Sequence, residues 1–308
     1  MDLKDCTLTL GPVLFNWTAE LWRDFYFEIA DEAPVSTVYL GEAVCSKRAP
    51  LFDKVLTPVV ERLEAAGKEL VFSSLSEVTS TIDRKLIRRV AESDGLLIEA
   101  NDISALSYLD GRPHHIGPFI NCYNEDALHI FADGGATSIC LPTEMPKSGL
   151  RVMAAEAATR GVSLELQIFG RVPLALSARC YHARAHNRTK DSCLFVCDED
   201  PDGMVLKTLD DKPFLTINGI QTMSYTCLNM ADSLTELAEM GIGRFRLSPH
   251  SAGTVDVAQT FRSLMDGALD ADEAHVMLKA SSLDVPFSNG FYHQRPGVEW
   301  QVPTPAST

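Results

Sequence analysis

Three cysteines, Cys180, Cys193 and Cys197, lie within eighteen residues of one another. Their spacing, C-x12-C-x3-C, falls in a polar stretch, and such a group of thiolates can hold Zn2+ or an iron–sulfur cluster. Three thiolates need a fourth ligand. Cys45, Cys122 and Cys227 are the candidates, because Cys45 follows an apolar strand-like run, Cys122 ends another, and Cys227 lies on the return from the same polar stretch. Cys6 and Cys140 sit at or inside strand-like runs and read as small core residues. His182 and His186 lie between the first two clustered cysteines, so a mixed Cys/His zinc site competes with an all-thiolate one. That histidine pair lacks the H-E-x-x-H pattern of zinc peptidases. Lys47, Arg48, Arg179, Arg184 and Arg188 surround the candidate ligands. They would offset the charge of an all-thiolate cluster, or form a solvated face.

Weaker signals resolve into turns. Asp198-x-Asp200-x-Asp202-Gly203 opens like a calcium loop, but the position that should carry a bidentate Glu is Leu209. Pro201-Asp202-Gly203 therefore reads as a turn before a hairpin. Gly241-x-Gly243 lacks the third glycine of a dinucleotide fingerprint, and no G-x-S-x-G nucleophile elbow occurs.

The elements that must position the cysteines alternate between strand and helix periods. Strands are expected at 8–12, 36–40, 69–73, 95–99, 116–120, 138–141, 163–169 and 244–247. Helices are expected at 18–30, 51–66, 83–93, 103–109, 125–132, 147–160, 234–240 and 255–268. Eight such units predict a (β/α)8 barrel-like α/β fold over residues 1–285, with an open doubly wound sheet as the runner-up. Residues 171–229 break the alternation as a Cys-rich insertion after strand seven, with a hairpin at 205–209 and 214–217. On a barrel that insertion lies on the face where sites are built. Residues 286–308 read as an irregular C-terminal tail. Polar groups at strand ends include Asn16, Glu42, Ser73, Ser74, Glu99, Asn101, Asp102, Asn121, Glu144 and His250. Glu42 and Glu99 stand out as acids that could line a pocket at the mouth, each ending an apolar run.

Composition narrows the function classes. Hydrophobic residues make up 45% and charged residues 22% of the 308, enough for a full core. The net charge of −15 argues against a dedicated nucleic-acid or anionic-membrane binder. No window approaches the ~18 apolar residues of a membrane span. The opening residues lack the basic and apolar regions of a secretory signal, so a cytoplasmic location is expected, with thiols reduced or metal-bound.

The block Ser177-Ala178-Arg179-Cys180-Tyr181-His182-Ala183-Arg184, followed by Lys190-Asp191-Ser192-Cys193 and Cys197, resembles the collagenase-like peptidase family. So do the opening 8–17, Leu-Thr-Leu-Gly-Pro-Val-Leu-Phe-Asn-Trp, and the run from Tyr39 to Arg48, with its Gly-Glu-x-Val-Cys-Ser-Lys-Arg. The match is to the branch that serves oxygen-independent ubiquinone biosynthesis, and it covers residues 7–270. The resemblance implies a [4Fe-4S] cluster on Cys45, Cys180, Cys193 and Cys197, with Cys45 as fourth ligand. It implies a heterodimer with a homologous partner. It also implies hydroxylation of a ubiquinone ring precursor without O2, with prephenate as an oxygen source and no peptide cleavage. The rival readings are a metal-dependent peptidase and a non-catalytic scaffold for a partner enzyme. Pro303-Thr304-Pro305 has no counterpart in shorter relatives.

Overall fold

A computed structural model describes residues 1–302. Eight strands run parallel around a closed ring. They are β1 (Thr7–Leu10), β2 (Thr37–Leu40), β3 (Glu69–Ser73), β4 (Leu97–Ala100), β5 (His114–Ile116), β6 (Ala136–Leu141), β7 (Ser163–Leu176) and, after the insertion, β11 (Arg244–Leu247). β11 pairs with β1 on one side and β7 on the other, and that double pairing closes the barrel. Helices α1 (Ala19–Glu32), α2 (Ala49–Ala65), α3 (Thr81–Ala91), α5 (Glu125–Asp133), α6 (Lys147–Arg160), α8 (Leu234–Met240) and α9 (Thr254–Met265) form the outer layer, with the short α4 (Leu106–Leu109) after β4. Sequence chemistry sets their ends. Ser80 and Asp83 form a reciprocal capping box at the start of α3, and Gly161 closes α6 in a left-handed conformation.

Three expectations are corrected. The strand placed at 116–120 is His114–Ile116, because Pro118 opens a 3-10 turn there. Strand seven does not stop at Phe169: β7 runs on to Leu176, out of the barrel, and its outer half pairs antiparallel with β10 (Gln221–Asn229). β10 in turn pairs with β9 (Pro213–Asn218), and β9 with β8 (Met204–Lys207). The insertion is thus an antiparallel sheet continuous with the barrel wall, and it also carries α7 (Tyr181–Ala185). Finally, α10 (Ala271–Ser281) extends the chain beyond α9, capped by Asp270 and Glu273. In the tail, β12 (Phe287–Ser288) pairs with β10, and Tyr292 donates a 2.7 Å hydrogen bond to Glu236. Pro303-Thr304-Pro305 lies outside the described residues.

The barrel interior is polar at its centre. Arg246 on β11 is buried and lies 2.7 Å from Glu99 and 2.6 Å from Glu165. Its guanidinium stacks 4.0 Å over the Tyr39 ring, whose hydroxyl donates to Glu165 at 2.8 Å. Ser73 and Asn101 donate to Glu99, and Thr9 donates to Glu165. Glu99 is therefore a member of this internal network rather than an open mouth acid. Burial alone would raise the Glu165 carboxyl, but Arg246 and Arg244 outweigh it and hold it down at about 2. A folded-state pKa below the unfolded one means that the folded chain binds fewer protons. The stability this group contributes is complete above the ordinary carboxylate range and drains away as pH falls towards 2. In urea unfolding, the wild-type midpoint should drop between pH 5 and pH 3 by more than that of Glu165→Gln. Arg246→Met should cost about 3–5 kcal/mol at pH 7, because it strands two buried carboxylates. Parallel pH profiles for wild type and Glu165→Gln would remove Glu165 from this account.

Candidate functional site

One turn and the insertion bring the four cysteines named above to one place. Cys45 comes from the turn between β2 and α2. Its loop is shaped by Gly41 (φ +110), where an added Cβ would meet the Ser73 carbonyl oxygen at 2.8 Å, and by Glu42. The Glu42 carboxylate accepts the backbone N–H groups of Val44 at 2.7 Å and Cys45 at 2.9 Å. Glu42 thus orders the Cys45 loop; it is not a free acid at the mouth. Burial raises its carboxyl, against the opposing pull of Arg48 and these two N–H groups. Cys180 stands before α7 and its sulfur accepts the Ala183 N–H at 3.4 Å. Cys193 and Cys197 flank a sharp turn in which Leu194 (φ +51) and Phe195 (φ +57) are both left-handed.

Cys45, Cys180, Cys193 and Cys197 line one small cavity, closed by the apolar side chains of Phe195, Val196 and Ile220. Arg48 forms its floor. This fully buried guanidinium donates to the Leu14 carbonyl at 2.9 Å, to Asn218 Oδ1 at 3.0 Å and to the Cys197 sulfur at 3.3 Å. Asn16, in the connection from β1 to α1, donates to the same sulfur at 3.4 Å. Gly219, in the two-residue turn between β9 and β10, leaves room for Arg48; its φ is +61, and a Cβ there would meet Arg48 Nη2 at 2.8 Å. Lys47 ties the Cys45 loop to the insertion through the carbonyls of Lys190 (2.7 Å) and Asp191 (2.9 Å), and Arg188 holds the Cys193 carbonyl at 3.0 Å. Burial pushes up the thiols of Cys45 and Cys180, while Arg48 pulls the other way.

The other candidates lie elsewhere. Cys122 and Cys227 are buried away from the cavity, and burial pushes each thiol up to about 12. Cys6 and Cys140 are buried in the barrel layers. His182 turns its Nε2 to Asp200 at 2.9 Å and stacks on His186, so neither imidazole joins the thiols. Asp202 accepts the Ser251 N–H at 2.8 Å, and with Asp200 spent on His182 the calcium-like acids face different partners. Of the strand-end polar groups, Asp102 caps the turn after β4, Glu144 accepts from Tyr123 at 3.0 Å, and burial pushes the His250 imidazole down to about 4.

The donor set at this cavity is four thiols, with N–H donors on two of them. Thiolates on one tetrahedral Zn2+ have their sulfurs only about 3.8 Å apart. Among the described residues, no three His, Cys, Asp or Glu side chains converge as a site for one metal ion. Four thiols around a shared cavity, with N–H donors aimed at Cys180 and Cys197, are what a larger thiolate-bound group needs, since such hydrogen bonds tune its potential.

The sequence profile of peptidase family U32 matches residues 18–302. The chain belongs to peptidase family U32. Among solved structures, it is similar to a candidate fructose-1,6-biphosphate aldolase from Coccidioides immitis. That match has 11% identity and a TM-score of 0.43, covering 90% of each chain. It is also similar to phospho-2-dehydro-3-deoxyheptonate aldolase from Thermotoga maritima. There the identity is 10% and the TM-score 0.40, with 91% of this chain and 71% of that one covered. No helix among the described residues is long and apolar enough to cross a membrane.

Sequence reasoning overlooked Asn218 and Gly219. The signal was there: an Asn-Gly pair between two β-rich runs marks a tight turn. Gly219→Ala should lower stability by about 1 kcal/mol or more, because its φ is positive and Arg48 must move. Urea unfolding measures that loss. A midpoint equal to wild type would show that Arg48 does not need the space.

Proposed function

We propose that this U32-family chain acts as a UbiV-type iron–sulfur subunit. With a homologous UbiU-like partner, it would serve the O2-independent hydroxylation of a ubiquinone ring precursor. The observation that carries the reading is the cavity shared by Cys45, Cys180, Cys193 and Cys197, floored by a buried arginine. These four side chains would hold a [4Fe-4S] cluster. A fully thiolate-bound cluster supplies one-electron transfer. The chain's own residues do the rest. Glu42 fixes the Cys45 loop through two backbone N–H groups, Arg48 and Asn16 place N–H donors on Cys197, and the Ala183 N–H does the same for Cys180. Phe195, Val196 and Ile220 give the cavity an apolar lining. Prephenate as oxygen source and a cytoplasmic location belong to the same reading.

A peptidase reading has only the family's name behind it. His182 and His186 are spent on each other and on Asp200, and the thiols are apart from them. Purified protein should leave casein and gelatin intact. Cleavage that follows the protein through gel filtration and stops with a chelator would reverse this.

Anaerobic purification with metal analysis tests the main reading. Iron and sulfide near four each per chain, with absorption near 400 nm, are expected. Cys45→Ala, Cys180→Ala, Cys193→Ala and Cys197→Ala should each lose most of that iron, while Cys122→Ala and Cys227→Ala keep it. Stoichiometric zinc in place of iron would sink the cluster, and full iron in Cys45→Ala would strike that residue from the set. Quinone extraction from a deletion strain addresses the pathway: ubiquinone should be lost without air and normal with it.

A further inference from the structure

The acids outnumber the bases 42 to 27 in this chain, yet the twelve residues from Arg179 to Lys190 carry four cations and no acid. Arg179, Arg184, Arg188 and Lys190 line an open cleft together with Thr189 and Cys180. Cys180 and Lys190 also line the four-cysteine cavity, so the cleft opens directly beside it. Among the described residues, none of these four cations takes part in an ion pair. An unneutralised cluster of this kind attracts an anionic partner and raises its rate of encounter.

The lip of the cavity has the composition of an interface. Tyr181, next to Cys180, is 48% exposed, and Leu194, next to Cys193, is 75% exposed. Leu194 and Phe195 both hold a left-handed backbone conformation at this lip. Arg, Tyr and an exposed aliphatic side chain around a polar rim are typical of docking surfaces.

We propose that this basic lip docks a small acidic electron-carrier protein beside Cys180. The inference rests on the cluster reading above and names the partner of that same site. With a cluster held by the four cysteines, the carrier's reduced centre would give it one electron; no bond would form or break and no proton would move.

The test uses anaerobically purified full chain and a fluorescently labelled acidic plant-type ferredoxin as probe, with binding read by anisotropy and iron measured on the same sample. Arg179→Glu with Arg184→Glu should weaken binding at least tenfold. Wild-type affinity should fall steeply with added salt, and the control pair Lys4→Glu with Lys54→Glu, equal in net charge and outside the lining of the cleft and the cavity, should change it less than twofold. Equal losses in both pairs, salt-independent binding or no binding at low salt would overturn the proposal. So would citrate displacing the probe at millimolar concentration while equal ionic strength of chloride does not, since that would assign the cleft to a small polyanion. A sample without iron that still binds the probe in this pattern leaves docking standing and removes the cluster reading. A sample with full iron and no docking does the reverse.

Discussion

A buried guanidinium must find its hydrogen-bond acceptors inside the protein, and Arg48 finds them on three separate pieces of chain. The Leu14 carbonyl belongs to the segment leaving β1, Asn218 to the hairpin of the insertion, and Cys197 to the cysteine loop. Removing the arginine would strip Asn218 Oδ1 of its buried donor and leave the Leu14 carbonyl and the Cys197 sulfur with one donor each, at a cost above that of a surface contact. The barrel and the insertion are therefore registered through one side chain. Glu42 lies close enough to offset its charge but spends its carboxylate oxygen on the Val44 and Cys45 N–H groups. The Cys197 sulfur meets the guanidinium alongside the Leu14 carbonyl and Asn218 Oδ1. Asn16 also aims an N–H at that sulfur.

The barrel supplies the rigidity that this arrangement needs. Its interior is tied by the Arg246 network, in which two carboxylates, a tyrosine ring and several hydroxyl and amide donors leave the strands little freedom to slip. β7 carries that rigidity outward. Because its outer half pairs with β10, the insertion is not a loose loop but the edge of the barrel wall folded over its own mouth. Cys180 follows β7 by four residues, so its position is set by a strand anchored in the barrel.

Much of the fold was legible because hydrophobic periodicity is local. α6 and α8 fall where the spacing of apolar residues puts them, and the eight barrel strands follow from the alternation. What was not legible is what depends on distant pairing. The outer half of β7, interrupted by Gly170, Arg171 and Pro173, looks irregular as sequence and becomes a strand only when β10 lies beside it. The same holds for β10, whose register against β7 is broken near Met223. The three clustered cysteines declared themselves by spacing, whereas Cys45 was equivalent to Cys122 and Cys227 until resemblance, and then geometry, separated them. No spacing rule reports that a residue more than a hundred positions away lines the same cavity. Glu42 and Glu99 were legible as acids at strand ends, but not in their roles, because a carboxylate's partners here are backbone N–H groups in one case and a cation across the barrel in the other.

The position of the site follows from how the barrel is filled. Barrel enzymes commonly place reacting groups on the strand ends facing an open mouth. Here the centre is occupied by Arg246 and its carboxylates, and the mouth above β1 and β2 is roofed by the insertion, with Trp17 donating to the Pro201 carbonyl and Ser251 to Asp202. The four-cysteine cavity lies off the barrel axis, at the seam between the β2–α2 turn and the insertion. A seam site has one wall from each side, so it is rigid only where a side chain spans both. Arg48 and Lys47 are those spans, two neighbouring residues on the turn that also carries Cys45. The short distance in sequence from Cys45 to both spans is what lets one turn contribute a thiol and fasten the opposite wall.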